Sequence, residues 1–492
     1  MTHPALEDCH WQRRTGSDGV VAYTRPMVAG EQTLDQIHQL IHGHDQFLFG
    51  ATFQSNLAIE ERLLDALIRL RYYSPLVAAQ PQKGIHDNEL RSWVYTPVFD
   101  DQAAASWARK VLTVKASTKQ LPDAESHVCD ILSQPLPPNE IFQVHLIGPH
   151  QDGQFTLFTY KSHALAEGQS AIDLLATLSD WIINPDAGVD LTWGEEWRNL
   201  LPGTNVTLGR EKEKWDMESS ETPAEIKRKN GTGKASHLRE PIHDGCSITK
   251  LGKIVRTHRQ LDETTTSRLV QATRSEGISI THLFEAAHAI ATYTIEPLSA
   301  EELAESHVRY FPSITRHHRK APYDKRELVG NVNTAFTQII PAKVHCDKTT
   351  VRDRVLAIAQ EVKNNYRAFI ANPQHPLMEA TLIKLYPLRG PLGVDINANT
   401  GEILGLGIID NKLPLVWRSS DGHHTIRIND VHLGEYMPAH VTFSHRMVHL
   451  WTLEGKLRIQ IQASDVWDES YLARFLDEWK PSVRRAGVQQ GK

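Results

Sequence analysis

Cysteine is scarce in this chain, and the cysteines that are present lie far apart. Their positions are Cys9, Cys129, Cys246 and Cys346. Cysteine metal sites need closely spaced pairs, and disulfide-rich secreted domains need a high density of cysteine. The spacing therefore argues against both, and we expect free thiols in a reducing, cytoplasmic environment.

The chain also lacks long apolar segments and a strong charge of either sign. No apolar run approaches the ~20 residues that a membrane-spanning helix needs, and the first residues have neither the basic start nor the apolar core of a signal peptide. The 53 basic and 59 acidic residues give a net charge of −6, which argues against a nucleic-acid or anionic-membrane partner. We expect no membrane span and a cytoplasmic protein.

Histidine is abundant, with 26 residues, yet its spacing does not predict a metal site. The histidines that stand close together form isolated doublets in polar segments, without a second pair to complete a ligand set. These doublets are His42 and His44, His317 and His318, and His423 and His424. We therefore expect no bound metal.

Length and composition predict two lobes joined by a polar crossover. At roughly 150 residues per domain, a chain of 492 residues allows two or three domains. Residues 203–247 are rich in charge, serine and glycine, which is typical of a solvated linker. We place an N-terminal lobe at 1–202 and a C-terminal lobe at 248–492. Both mix strand and helix patterns, which predicts an α/β (α+β) fold.

Several elements follow from hydrophobic periodicity and capping signals. A capping box, Thr33 with Gln36, predicts the start of a first helix. Further helices are expected at 281–293, 351–370 and 467–479. Strands are expected at 332–340 and 403–409, and at 441–451 with 457–462, which flank a turn at Glu454 and Gly455.

A strand, a short turn and a helix follow one another in the middle of the first half. Bulky or β-branched residues occupy both alternating faces of 155–160, which predicts an interior strand that ends near Ser162. Apolar residues recur at helical spacing over 172–182, which predicts a helix that begins shortly after Gly168, with Ser170 as its cap.

His163 falls in the turn between these two elements. Rigid elements on both sides can hold an imidazole while it projects into a cleft, which is the placement that a general base requires. A lone histidine at a strand end is more often a structural residue in an arbitrary protein. The strand, the following glycine and the helix together favour the base.

The pattern His163-x-x-x-Glu167-Gly168, after a hydrophobic strand and before an amphipathic helix, resembles the active-site motif of the CoA-dependent acyltransferase superfamily. That superfamily includes chloramphenicol acetyltransferase, plant BAHD acyltransferases and peptide-synthetase condensation domains. The likeness is closest to the fungal trichothecene O-acetyltransferase-like family. The usual motif is His-His-x-x-x-Asp-Gly, so Ser162 stands in place of the first histidine and Glu167 in place of the aspartate.

The resemblance implies two chloramphenicol-acetyltransferase-like lobes, each a mixed sheet flanked by helices, with an active-site tunnel between them, in a monomer. It implies an acyl-CoA-dependent O-acyltransferase, with acetyl-CoA as co-substrate and no permanently bound cofactor, acting on a hydroxyl of a fungal secondary metabolite such as a terpenoid. His163 would be the general base. Two alternatives remain open: a CoA-independent cyclase or pericyclase (Diels-Alderase-like) on the same fold, and a non-catalytic binding protein.

The resemblance also gives the other motif residues supporting roles. The motif's acidic residue pairs with an arginine and fixes the loop that presents the histidine; Glu167 is equally explained as a solvated charge at a helix N-terminus. Gly168 meets a need for close backbone approach or left-handed geometry. The oxyanion donor is not fixed by the sequence, where Ser419 and Ser420 are weak candidates and are more typical of turn residues.

Overall fold

The structure is a computed structural model, and it describes a defined part of the chain. The described residues are 10–28, 30–40, 42–83, 91–116, 123–150, 152–185, 191–203, 206, 234–236, 253–295, 297, 299, 301, 306–315, 333–335, 338–346, 348–371, 401–437, 446–465 and 467–487.

Helices and strands alternate along both halves. The helices are α1 Gly30–Leu40, α2 Ile59–Tyr73, α3 Asp101–Val111, α4 Ala124–Ile131, α5 Gly168–Ile183, α6 Glu263–Ser275, α7 Ile280–Ile295, α8 Ala342–Cys346, α9 Val351–Ala371 and α10 Glu469–Gly487. The strands are β1 Gln12–Thr15, β2 Val21–Pro26, β3 Phe47–Ser55, β4 Gln80–Gln82, β5 Ser92–Tyr95, β6 Leu112–Lys115, β7 Phe142–Ile147, β8 Gln154–Lys161, β9 Lys234–Ser236, β10 Ile254–Gln260, β11 Ser306–Thr315, β12 Asn333–Ala335, β13 Gln338–Pro341, β14 Glu402–Ile408, β15 Val416–Arg418, β16 Thr425–Glu435, β17 Met447–Leu453 and β18 Lys456–Ser464. The predicted mixed α/β architecture is confirmed.

The first large sheet contains the strand that precedes His163. Its order is β15-β16-β3-β8-β7-β6, and its neighbours run antiparallel except for the parallel pair β6 and β7. β3 and β8 are buried along most of their length, as expected of interior strands. A Cβ at Gly50 would meet the Leu157 carbonyl and Phe158, so glycine is required where β3 and β8 approach each other.

Two strands of this sheet come from the C-terminal half of the chain. β16 runs antiparallel to β3 along its length, with Ile426 opposite Ser55 and Glu435 opposite Phe47. The first large sheet is therefore completed by residues that follow position 415. A division of the chain into an N-terminal and a C-terminal lobe does not anticipate that the C-terminal half supplies two strands to this sheet. The lobe boundaries themselves stay a prediction.

The second large sheet has the order β10-β18-β17-β14-β11-β12, and β9 and β13 also pair with β11. β14 runs parallel to both β11 and β17. Helix α7 packs against α9 and α10, and α10 also packs on β10 and β18. A further small antiparallel sheet, β1-β2-β5-β4, lies in the N-terminal half.

Buried apolar side chains form two main cores, one for each large sheet. The first includes Leu67 of α2 and Leu174 of α5, which are fully buried together with β3 and β8 side chains. The second includes Phe284, Phe475 and Trp479, which pack as an aromatic cluster beside the second sheet. Burial of each such side chain contributes about 1.5–3 kcal/mol, so each large sheet is stabilised by its own core.

The structure confirms most of the predicted elements and corrects one start. The helices expected at 281–293, 351–370 and 467–479 are α7, α9 and α10, and the turn at Glu454 and Gly455 joins β17 to β18. The capping box was wrong, because α1 begins at Gly30 and both Thr33 and Gln36 lie inside it. The Glu31 carboxylate instead accepts from the Val28 N–H at 3.1 Å.

Most of the expected crossover at 203–247 lies outside the described residues. Within it, Lys234–Ser236 forms β9, which pairs in parallel with β11, and the crossover itself stays a prediction. Among the described residues, no helix combines the length and apolarity that crossing a membrane requires.

Candidate active site

His163 lies on the short connection between β8 and α5. The strand ends at Lys161, which confirms the predicted end near Ser162, and the helix begins at Gly168, slightly earlier than predicted. The strand belongs to the first sheet and α5 packs on α2 in the first core. The connection is therefore anchored at both ends by buried elements.

Backbone hydrogen bonds shape the turn that presents His163. The Ser162 N–H donates to the Ile141 carbonyl at 2.9 Å, and the Leu165 N–H donates to the Ser162 carbonyl at 3.1 Å. The Ser162 hydroxyl accepts from the Ala164 N–H at 3.3 Å. The serine that replaces the motif's first histidine thus binds within the turn itself.

The imidazole of His163 packs against Phe47, the first residue of β3. Their ring centroids lie 4.8 Å apart with the planes tilted by 45°, and Phe47 is itself buried. Lys161, two residues before His163, is fully buried and donates from Nζ to Thr159 Oγ1 at 2.7 Å. The imidazole is therefore in contact with a buried aromatic ring, and a buried lysine lies two residues before it.

Burial lowers the pKa of His163 below the ordinary value of an imidazole. The Asp45 carboxylate opposes this shift by raising the pKa, and Lys161 lowers the pKa further. Because the net direction is downward, His163 is neutral at pH 7, which is the form that accepts a proton.

His163 opens on a narrow cleft between the two large sheets. The cleft has a volume of about 40 Å³, comparable with one or two water molecules. Its lining residues come from β3, β16, α5, β14 and β17: Phe47, His163, Gly168, Gln169, Leu404, Gly405, Leu406, Leu433, Glu435 and His449. A second cavity, of about 340 Å³, reaches Ser162 from the side of α1. The turn with His163 thus lies between two spaces.

Glu167 is buried, with 1% of its surface exposed, so the interpretation as a solvated helix charge was wrong. It occupies the N-cap position of α5, and its backbone N–H donates to Ser170 Oγ at 3.0 Å. Ser170 is therefore the third helical residue of a capping box and not the cap that the sequence indicated. Whether Glu167 supports the motif as its resemblance implies stays a prediction.

The backbone at Gly168 lies close to Leu406 of the second sheet, which is the first of the two reasons for a glycine that the motif implied. Its φ lies outside the left-handed region, and a Cβ added there would lie 2.6 Å from Leu406 Cδ2 of β14. The next residue, Gln169, donates from Nε2 to the Leu406 carbonyl at 3.1 Å. The start of α5 therefore contacts the second sheet directly.

Sequence reasoning missed two side chains that line the cleft, Glu435 and His449, and two carboxylates that act on Glu435, namely Asp45 and Glu402. His449 Nε2 and Glu435 Oε1 lie 3.0 Å apart, and both side chains are buried. Burial, Asp45 and Glu402 raise the pKa of Glu435, while burial, Arg256 and His163 lower the pKa of His449. A histidine within the otherwise apolar run of β17 was the one local signal for this group.

The serines considered as oxyanion donors lie elsewhere. Ser419 follows β15 in a tight turn, where its hydroxyl bonds to Asp421 Oδ1 and accepts from the His424 N–H at 2.9 Å. Neither Ser419 nor Ser420 lines the cleft. Both are turn residues, as their local sequence suggested.

No group of three or more His, Cys, Asp or Glu side chains able to hold a metal occurs in the described ranges. His317 and His318 fall outside those ranges, as do Cys9 and Cys246. Cys129 is a free thiol, and burial raises its pKa.

Comparison with known proteins identifies the fold. No protein-family model and no curated protein match this chain. Among solved structures, trichothecene 15-O-acetyltransferase TRI3 from Fusarium sporotrichioides matches with a TM-score of 0.77 and 15% identity, covering 99% of each chain. The cyclization-docking bidomain of the peptide synthetase EpoB from Sorangium cellulosum matches with a TM-score of 0.61 and 12% identity, covering 95% of this chain and 85% of that one.

A variant of the starter condensation domain of rhizomide synthetase RzmA, in complex with C8-CoA and Leu-SNAC, also matches. Its TM-score is 0.61 at 12% identity, covering 94% of this chain and 95% of that one. At such identities the likeness concerns the fold alone. The chain therefore has the two-lobed chloramphenicol-acetyltransferase-like fold that the His163 motif led us to expect.

Proposed function

We propose that this protein is an acyl-CoA-dependent O-acyltransferase, with acetyl-CoA as donor, that acylates a hydroxyl of a fungal secondary metabolite such as a terpenoid. The observation that carries the proposal is the position of His163 on an anchored turn, at a cleft between the two sheets, where burial lowers its pKa. Two similar structures support it, a trichothecene 15-O-acetyltransferase and a condensation domain that holds C8-CoA.

In the proposed reaction, the acceptor hydroxyl and the thioester meet beside His163. The imidazole takes the hydroxyl proton while the oxygen attacks the thioester carbonyl, forming a C–O bond and an oxyanion. The oxyanion then collapses, the C–S bond breaks, and the CoA thiolate takes the proton from the imidazolium. The products are the ester and free CoA, and no acyl-enzyme forms.

The surroundings of His163 fit this task. A pKa lowered by burial keeps the imidazole unprotonated at pH 7, and the nearby Asp45 carboxylate stabilises the imidazolium that forms during transfer. Holding both substrates in line at a narrow cleft supplies the entropic part of catalysis. In this proposal Glu167 and Gly168 are positioning residues, because they fix the start of α5 and thereby the turn.

The proposal extends to the path of the substrates and to the state of the protein. The cleft beside His163 and the larger cavity that reaches Ser162 would be parts of one tunnel, entered by donor and acceptor from opposite faces. We propose a monomer, because the two lobes that form the cleft belong to one chain.

The first test is binding of acetyl-CoA by wild type and by His163→Ala, read as a thermal shift. Acetyl-CoA at 100 times its dissociation constant stabilises a protein by about 2.7 kcal/mol, a shift of a few degrees for a chain of this size. We expect both proteins to shift and only the wild type to release CoA in the presence of hydroxyl acceptors. Absence of a shift with millimolar acetyl-CoA and longer acyl-CoAs would reject the proposal.

A CoA-independent cyclase is the second candidate. Ser162 and Glu167 depart from the usual acyltransferase motif, and a cyclization domain shares the fold. This candidate predicts turnover of a substrate without any acyl donor, whereas the acyltransferase depends on acyl-CoA. A non-catalytic binding protein would show neither activity.

A further inference from the structure

Glu435 and His449 form a buried pair that joins the two sheets beside His163. Glu435 ends β16 in the first sheet and His449 lies in β17 of the second, with 3.0 Å between Glu435 Oε1 and His449 Nε2. Their exposed fractions are 2% and 0%. Both residues line the same narrow cleft as His163.

Both backbone polar groups of Glu435 bond to the side-chain amide of Gln462. Its N–H donates to Gln462 Oε1 at 3.2 Å, and its carbonyl accepts from Gln462 Nε2 at 2.6 Å. The opposite residue on β3 is Phe47, the ring that packs against His163. The carboxyl group is therefore held in one place relative to the proposed base.

The second carboxylate oxygen of Glu435 and the second ring nitrogen of His449 are also buried. Within the described part of the chain, these two atoms, Glu435 Oε2 and His449 Nδ1, have no hydrogen-bond partner. Buried polar atoms usually have a partner, so these two atoms beside the cleft are available to a group or a water that enters it.

The environment favours the uncharged forms of both groups. Burial, Asp45 and Glu402 raise the pKa of Glu435, and burial, Arg256 and His163 lower the pKa of His449. A neutral His449 can donate from Nε2 to Glu435 Oε1. In the protonated form of Glu435, with Oε1 accepting from His449, the proton lies on Oε2 and makes this oxygen a donor.

We propose that Glu435, oriented by His449, donates a hydrogen bond from Oε2 to the thioester carbonyl oxygen and stabilises the oxyanion formed in the transfer. This inference rests on the proposed acyltransferase function and supplies the donor that the sequence did not identify. Glu435 would touch the reacting atoms and is a catalytic residue, whereas His449 acts through it as a positioning residue. No proton need leave Glu435, because the oxyanion collapses as the C–S bond breaks.

The test measures CoA release from acetyl-CoA by chromatography, alone and with farnesol, geraniol and menthol as hydroxyl probes. Glu435→Met removes the donor at nearly constant volume, and we expect kcat to fall about 10²–10³-fold with the acetyl-CoA KM within about threefold. Glu435→Gln retains an N–H donor, so it should keep kcat within about tenfold of wild type. Such rescue would not follow from a purely structural role.

His449 is tested in a double-mutant cycle. His449→Leu leaves Glu435 present but unoriented, so we expect a smaller loss of kcat than for Glu435→Met, and the double variant should be no worse than Glu435→Met alone. The matched control is Asp430→Asn, on the same strand, whose carboxylate pairs with Arg458 at 3.0 Å across the same two sheets. Asp430 does not line the cleft of His163, and its loss should leave kcat unchanged.

The outcomes separate this inference from the proposed function. An active wild type, an inactive His163→Ala and a Glu435→Met as active as wild type would overturn the role of Glu435 and leave the acyltransferase intact. A wild type that neither shows a thermal shift with acyl-CoAs nor releases CoA overturns both. Equal losses in Glu435→Met, Glu435→Gln and Asp430→Asn, with lowered melting temperatures, would mean that the pair only holds the sheets together.

Discussion

The Nζ atom of Lys161 lies 4.2 Å from the centroid of the Phe47 ring, whose other neighbour is the imidazole of His163. Lys161 and Phe47 are also directly opposite each other on β8 and β3. Burial lowers the pKa of Lys161 well below its ordinary value. The Phe47 ring is therefore in contact with both a buried amine and the proposed base.

Replacement of Lys161 tests whether this amine stabilises the protein. We expect Lys161→Met to keep or raise the free energy of unfolding, by up to about 2 kcal/mol, because a thioether of similar volume has no hydration to lose. Lys161→Ala should lower it by about 2–5 kcal/mol, because it leaves a cavity. Urea unfolding measures both. A Met variant as unstable as the Ala variant would mean that the lysine is charged and paired.

Asp45→Asn tests the electrostatic support of His163. Asp45 has φ of 66°, a region that asparagine tolerates as well, so the backbone should persist. Because the carboxylate raises the pKa of His163, its loss should lower that pKa and move the acidic limb of the kcat/KM profile to lower pH.

The same substitution should reduce kcat at pH 7.5 by about tenfold, because the imidazolium loses a stabilising charge. Profiles from pH 4.5 to 9 measure both effects. Asp152→Asn, in the exposed turn before β8, is the control and should behave as wild type. An acidic limb that stays in place or moves upward would contradict the assigned role of Asp45.

Gly168→Ala tests the contact between α5 and the second sheet. The added methyl would lie 2.6 Å from Leu406 Cδ2, the end of a flexible side chain, so we expect a loss of unfolding free energy below about 1 kcal/mol. Leu406→Ala should relieve the clash. In a double-mutant cycle the two substitutions should couple favourably, and strictly additive effects would show that the two residues do not meet.

Ser170→Ala tests the capping box that begins α5. It removes the hydroxyl that accepts from the Glu167 N–H, and we expect a loss of about 1 kcal/mol in unfolding free energy. The control is Ser179→Ala on the same helix. Ser179 is buried and its hydroxyl donates to the Leu175 carbonyl at 2.9 Å. We expect this substitution to cost less unfolding free energy than Ser170→Ala. Equal losses would show that the cap contributes nothing special.

His145 on β7 is expected to make the protein sensitive to acid. Burial, with Lys115 nearby, lowers its pKa from 6.5 to about 4. Between these two values the unfolded chain binds a proton that the folded chain does not. Lowering the pH therefore lowers the free energy of unfolding, by up to about 1.4 kcal/mol per pH unit. His145→Leu should flatten the dependence between pH 6.5 and 4 and leave the slope between pH 7.5 and 8.5 unchanged. Parallel slopes for the two proteins at acidic pH would refute this.

The sequence revealed the parts of the site that depend on local periodicity. The alternation before His163 and the helical spacing after Gly168 are properties of one continuous segment, so the turn between them was predictable. The mixed α/β class followed from strand and helix patterns in both halves of the chain, and the two-lobed architecture followed from the resemblance of the motif. The start of α1 was misplaced because Thr33 and Gln36 form a capping pattern by spacing alone, while the helix begins where Glu31 binds Val28.

The other side of the cleft was not predictable, because it depends on pairing between distant segments. Glu435 meets the site only through the register of β16 on β3, and His449 through a parallel pairing of β17 with β14. Nothing in the residues around either position encodes those registers. Likewise, the burial of Glu167 depends on the elements packed around it, and its own segment fits both a solvated and a buried carboxylate.

The placement of β16 beside β3 has a consequence for how the protein is made. Ser55 Oγ donates to the Thr425 carbonyl, 370 positions later in the chain. At synthesis rates of 5–20 residues per second, β3 would leave the ribosome roughly 20–70 s before its partner exists. During that interval one edge of β3 presents unpaired N–H and C=O groups, the arrangement that promotes association with other nascent chains. Expression of the N-terminal half alone should therefore yield aggregates, and supplying residues 401–437 on a second polypeptide should restore solubility.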